Sequence, residues 1–233
     1  GLTYTGGVMD THQLTPSPFL SDAERPRVAV ARNADPYSAA REALAAFDLS
    51  AASGKRVLVK PNAGRIAAPG DGITTHPAVV AAAIAAFQEA GADVAVGESP
   101  ITGVSTMEAL QATGIASVAE QYGCPLLDMD ARQAVEISLP EGRAIHALKV
   151  CPEVFEFDLI VSVPVMKVHM HTGVTLAVKN MKGCLWRRSK VELHMLPPLE
   201  GNDEKMLNMA IADMARALRP HFCLVDGTTG MEG

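Results

Sequence analysis

No uninterrupted apolar stretch of 18 residues occurs in this sequence, so a membrane-spanning helix is not expected. Cysteine is sparse and scattered. Cys124, Cys151, Cys184 and Cys223 form no C-x-x-C pair, which argues against a zinc ribbon or a self-contained ferredoxin-type cluster. Such separated thiols read as reduced structural residues of a cytoplasmic protein. Neither G-x-G-x-x-G nor a Walker P-loop is present, which removes the two commonest phosphate motifs of α/β proteins. Basic charge is also short: a formal net charge of −6 argues against a general nucleic-acid binder, so any basic site must be local. A charged n-region followed by an apolar h-region is missing too, and no secretory signal is visible.

What is present is a globular pattern, 48% hydrophobic and 20% charged. The Pro- and Thr-rich residues 1–26 read as a flexible N-terminal arm, and 27–233 as a single α/β domain that can continue past the turn-rich "DGTTGMEG". Short apolar runs predict strands at 27–32, 56–60 and 93–97, at "PLLDMD", at "FDLIVSVPV" and at "HFCLVDG". "AVEISLP" and "RAIHALKV" predict a hairpin through Glu141 and Gly142. Helical periodicity covers 36–47, 77–91, "STMEALQATG", "IASVAEQYG" and 203–218, with Pro77 in the first turn and Gly91 at the end of the second of these. "FDLIVSVPV" lacks polar alternation, as a strand covered on both faces does. Strand and helix alternate, which predicts a mainly parallel sheet with helices on both faces, a Rossmann-like three-layer sandwich.

In such sheets ligands bind outside the carboxyl ends of the strands. Polar residues collect there: Lys60 and Asn62 after the 56–60 strand, Glu98 and Ser99 after 93–97, Lys167 and His169 after "LIVSVPV", and Asp226 after "CLV". The long loop from Lys60 to His76 ends at a helix start, where free N–H groups suit an anion. Thr74, Thr75 or His76 is then either a ligand contact or an ordinary cap.

The segment "VPVMKVHMHTGVTLAVKNMKG" concentrates Lys167, His169, His171, Lys179 and Lys182, with Asn180 and Gly183 beside them. Three uses compete for these lysines: binding an anion, acting as a desolvated base, or standing in solvent. Their clustering after a core strand favours the anion site, with Lys182 and His171 toward its background. His169 and His194, with Asp226, form a candidate metal set, so a divalent metal ion is the cofactor considered. Cys184 reads as structural before nucleophilic, and Trp186 with Arg187 and Arg188 as either a lid or a surface turn.

With "VLVKPN", "TTHP", "EAGADVAVGESP", the long Lys-x-His to Lys-Asn-Met-x-Gly segment, "ELHM" and "LVDGTTGMEG" assembled, residues 55–233 resemble the domain of unknown function 362 family. The resemblance implies motif positions at Lys60, Asn62, Thr75, His76, Lys167, His169, Lys179, Asn180, Gly183 and Asp226. Many members carry a ferredoxin module and are described as iron–sulfur proteins. This sequence has no C-x-x-C-x-x-C run, so that label does not transfer.

The resulting expectation is an enzyme-like domain acting on a small carboxylate or phosphate. Lys167, His169, Lys179 and Asp226 are its catalytic candidates; Lys60, Asn62, Thr75, His76, Glu98, Ser99, Asn180, Lys182 and Gly183 are its ligand contacts. The competing expectation is a module that holds a metal or iron–sulfur cluster and serves a ferredoxin-like redox partner. A homo-oligomer is left open, and neither nucleic acid nor membrane is expected as a partner.

Overall fold

In the computed structural model, which describes residues 14–20, 26–198 and 206–232, the chain alternates strand and helix from Pro36 onward. Helix α1 (Pro36–Leu44) starts where Asp35 accepts a hydrogen bond from Ser38 N. Strand β1 (Arg56–Pro61) leads through a long loop to α2 (Pro77–Glu89), and β2 (Asp93–Glu98) to α3 (Thr106–Ala112) and α4 (Ile115–Gln121). Then come β3 (Leu126–Asp128) and an antiparallel hairpin, β4 (Val135–Ser138) with β5 (Ala147–Val150). Strands β6 (Leu159–Val163), β7 (Val165–His169) and β8 (Gly173–Thr175) precede α5 (Ala177–Asn180) and a 3-10 turn at Met181–Cys184. The remaining elements are α6 (Ser189–Glu192), α7 (Leu207–Ala217), β9 (Phe222–Cys223) and β10 (Asp226–Met231).

Five strands form a parallel sheet in the order β3-β2-β1-β6-β9. Its interior strands are buried on both faces because alternate side chains enter different cores. Val57 and Val59 join one core with Val80, Ile84 and Phe87 of α2, while Leu58 joins the other with Ile160, Met181 and Met214. Alanines at 82, 83 and 86 let α2 lie close to the strands. This is a Rossmann-like α/β fold, as the alternating pattern predicts. Among the described residues no helix is long and apolar enough to cross a membrane.

From β1 the chain winds outward through β2 and β3, then returns to the other side of β1 for β6 and β9. The strand order therefore reverses between β1 and β6, and a crevice opens at the carboxyl ends of those two strands. Lys60 and Pro61 pair there with Ser162 and Val163.

Three expectations change. The segment at 27–32 is no strand: it joins no ladder among the described residues, and Val28 and Val30 are 82% and 92% exposed. Its alternation imitates a half-buried strand, but the parallel sheet is already bounded by β3 and β9. The single strand read through "FDLIVSVPV" divides at Pro164, which has no N–H for a ladder. Beyond it, β7 joins a second sheet, β10-β7-β8, lying over the crevice. "HFCLVDG" likewise divides between the two sheets as β9 and β10.

Residues 1–13 and 21–25 of the expected arm, and 203–205 of the expected last helix, lie outside the described residues. Residues 14–20 rest on the domain: Leu14 N donates to Ala217 O, Ser17 Oγ donates to His221 O, and Phe19 meets Phe87 and Phe222 edge-on. His221, which has no supporting neighbours in the sequence, accepts from Ile160 N through Nδ1 and is a core histidine.

Candidate functional site

A cavity of about 230 Å³ occupies the crevice, between the ends of β1 and β2 and the overlying β7, β8 and 3-10 turn. At its floor Lys60 and Glu98, with side chains 1% and 3% exposed, form an ion pair at 2.7 Å. The Lys60 ammonium also donates to Pro61 O at 2.9 Å and to Asn180 Oδ1 at 3.5 Å, so its three donors are committed. Glu98 accepts from Ala63 N and Ser99 N as well. Asn180 braces the floor by donating through Nδ2 to Lys60 O and Ser162 Oγ. Gly183 sits directly against the pair: a Cβ there would lie 2.5 Å from Lys60 Nζ and 2.6 Å from Glu98 Oε1.

Above this neutralised floor the cavity is cationic. Among the described residues six lysines and arginines line it, against the single carboxylate of Glu98. Lys60 is balanced by Glu98, and Lys190 by Asp130 at 3.3 Å, which leaves Arg65, Lys167, Lys179 and Lys182. Burial and the Arg65 charge pull the Lys167 ammonium down to about 8. Burial with Lys167 brings Lys179 to about 8. Burial with Lys179 and Lys190 brings Lys182 to about 7. Each ammonium is thus held at a cost that an anion would relieve.

The imidazoles of His169 and His194 complete the wall. The His169 ring stacks on that of His194 with centroids 6.0 Å apart, and the His171 ring lies 5.8 and 5.7 Å from these two. Burial and the charge of Lys179 lower His169 to about 4; burial and Lys182 do the same for His194. Nδ1 of His169 accepts from His171 N and Thr172 N, so in the neutral ring the proton is on Nε2, a donor suited to an anion. Lys182 Nζ lies 2.6 Å from His194 Nε2.

Of the residues singled out in the sequence, Lys60, Asn62, Glu98, Ser99, Lys167, His169, Lys179, Asn180, Lys182, Gly183 and His194 line this one cavity. Lys60 and Glu98 serve each other rather than a ligand, and Lys182 moves from background to wall. Thr75, His76 and Asp226 do not line it. Thr75 Oγ1 donates to Val163 O and accepts from Asn62 N, tying loop to strand. His76 caps α2, its Nδ1 accepting from Ala78 N, while its own N–H donates to Asp226 Oδ2.

The other Asp226 oxygen accepts from Thr228 N and Oγ1. Asp226 is therefore a buried clamp between β10 and the start of α2, outside the cavity lining. Among the described residues no group of three or more His, Cys, Asp or Glu is placed to hold a metal ion, so the trio of His169, His194 and Asp226 is not assembled. Cys184 is fully buried, its thiol pushed up to about 12 by burial, and is structural. Trp186 and Arg187 are fastened to Arg132 O and Asp130 as a surface turn and do not line the cavity. Arg65 also lines it; its signal in the sequence is only a lone arginine in a loop directly after a site strand.

The family model described as "Domain of unknown function (DUF362)" matches residues 57–233, which contain every wall and floor residue named above. The chain belongs to the DUF362 family. A relative, the thylakoid-associated protein sll1697 of Synechocystis sp., is 32% identical over 190 residues, covering 77% of this chain and 54% of its own. The lactate racemase apoprotein of Thermoanaerobacterium thermosaccharolyticum superposes with a TM-score of 0.52 at 17% identity, over 86% of this chain and 53% of that one. At that identity the likeness is one of fold. This DUF362 chain spans about half the length of both proteins.

Proposed function

We propose that the cavity binds a small anion, a carboxylate or a phosphate, and that lysine and histidine side chains carry out acid–base chemistry on it. One observation carries the reading: Lys167, Lys179 and Lys182 converge on a space where, among the described residues, the one lining carboxylate is already paired. Buried like charges of this kind mark sites that a counter-charged ligand completes. Lys167 holds its place through Ile73 O and Asn62 Oδ1, and Lys179 through Thr175 Oγ1, so both ammonium groups are oriented before a ligand arrives. The Nε2–H of His169 adds a neutral donor, while Lys182 and His194, hydrogen-bonded to each other, supply the acid–base pair. The lactate racemase apoprotein is named for a small hydroxy acid, a member of the proposed ligand class. The metal- or cluster-holding redox module finds no ligand set among the described residues.

A thermal-shift panel of phosphate, sulfate and short carboxylates tests the reading. At least one should raise the melting temperature of the wild-type protein, since a ligand present at 100 times its Kd stabilises by about 2.7 kcal/mol. In Lys167→Met the shift should fall to near zero while the unliganded protein melts no lower than wild type. A shift that survives in Lys167→Met and in Lys179→Met removes the lysines from the site.

A further inference from the structure

The contact between Lys182 and His194 has a chemistry beyond anion binding. An Nζ to Nε2 separation of 2.6 Å is a hydrogen bond in which one basic nitrogen donates and the other accepts through its lone pair, so the two groups are not both fully protonated. We propose that Lys182 is a nucleophilic amine that forms an imine with the carbonyl carbon of a small oxo acid, with His194 as its proton relay. This deepens the preceding reading and rests on it, because Lys167 and Lys179 would hold the carboxylate of the oxo acid.

Four features single out Lys182. It is 8% exposed yet lines the cavity, so its amine is shielded from bulk water but reachable from the crevice. Its place on the 3-10 turn Met181–Cys184, packed over the Lys60–Glu98 floor, fixes its backbone. The charges of Lys179 and Lys190 lie close by, and cationic neighbours together with burial release the lysine lone pair, as the lowered value near 7 reflects. It also has a base within hydrogen-bond reach, and that base is itself stacked on His169. The other lysines of the cavity are engaged differently: Lys60 with Glu98, Lys190 with Asp130, Lys167 with Ile73 O, and Lys179 with Thr175. The carboxylates on Lys60 and Lys190 hold those two as ion-paired ammonium groups, and the oxygens on Lys167 and Lys179 are not bases.

The step balances without an oxidant or reductant. The Nζ lone pair attacks the carbonyl carbon, and one amine proton passes through His194 to the former carbonyl oxygen, giving a carbinolamine. The second amine proton follows the same relay, the hydroxyl departs as water, and the C=N bond forms. A cavity of about 230 Å³ suits an acid of a few carbons.

The test is reductive trapping near neutral pH: wild-type protein is incubated with glyoxylate or pyruvate and cyanoborohydride, digested, and mapped by mass spectrometry. One reduced adduct on Lys182 is expected. Lys182→Arg keeps the positive charge but should lose the adduct to background, and His194→Gln should slow labelling about 100-fold, the usual range for a lost general base. Labelling of Lys167 or Lys179 to the same extent as Lys182, or no adduct at all, overturns the proposal. Propionate, which has no ketone or aldehyde carbonyl, is assayed for thermal stabilisation on the same preparations. Stabilisation by propionate without any adduct sinks the imine and leaves the anion site standing; no stabilisation by any carboxylate or phosphate, with no adduct, sinks both.

Discussion

Replacing Glu98 with alanine is expected to lower folding stability by about 4 kcal/mol, because removing one partner strands a charge whose side chain is almost wholly buried. Lys60 is 1% exposed, and its remaining partners are a carbonyl and an amide oxygen, neither of which carries the missing charge. Glu98 also accepts from Ala63 N and Ser99 N, so the same change orphans two backbone donors. The check is urea unfolding of wild type, Glu98→Ala and the double variant with Lys60→Met. The double variant removes both charges and should recover part of the loss, since a stranded charge costs more than an absent pair. A loss under about 1 kcal/mol for Glu98→Ala would mean that Lys60 finds water or another counter-ion, and the cavity floor would have to be redrawn.

Gly183→Ala is the second large effect, and its sign is diagnostic. In a helical turn this change ordinarily stabilises by about 0.5–1 kcal/mol, because glycine gives up more backbone freedom on folding. Here the added methyl would sit 2.5 Å from Lys60 Nζ and 2.6 Å from both Lys60 Cε and Glu98 Oε1. A flexible side chain would swing aside, but Lys60 is held by three partners and Glu98 by three of its own. Either the 3-10 turn moves or the ion pair opens, at a cost on the order of 3 kcal/mol. Because the turn carries Lys182, the thermal shift by any anion should be lost together with stability. An unchanged or higher unfolding midpoint would show that the turn has room, and the close packing of Gly183 on the pair would be wrong.

The parts of the fold legible in the sequence are those set by local period. β1, β2 and β6 read as strands because both their faces meet a core, and α2 because Pro77 opens a long run of small apolar residues. The failures come from pairing at a distance. Nothing in "RVAVAR" says that the sheet ends at β3 and β9, so its alternating valines look like a strand while standing in solvent. The site follows the same division. That polar strand ends gather at one crevice was readable, since it follows from topology. How the charges pair within it was not. Lys60 and Glu98, 38 positions apart, cancel each other, and Lys182 meets His194 across a turn that no spacing rule encodes. Asp226 ended a strand as the other site residues did, but a change of sheet carried it to the backbone of His76.

The central claim, that Lys167, Lys179 and Lys182 form one anion site, is tested most directly by counting protons on binding. Their folded values lie near 8, 8 and 7, well below that of a lysine in water, so near pH 8 the empty site is only partly protonated. A bound anion favours the charged forms and raises those values, so binding must take up protons. Sulfate is the suitable probe because it does not titrate there. Calorimetric titration at pH 8 in two buffers of different ionisation enthalpy should give net proton uptake, vanishing at pH 6 where the ammonium groups are already charged, with affinity falling as pH rises through 8. Sulfate binding with no proton uptake at pH 8, and with equal affinity at pH 6 and pH 9, would contradict the account.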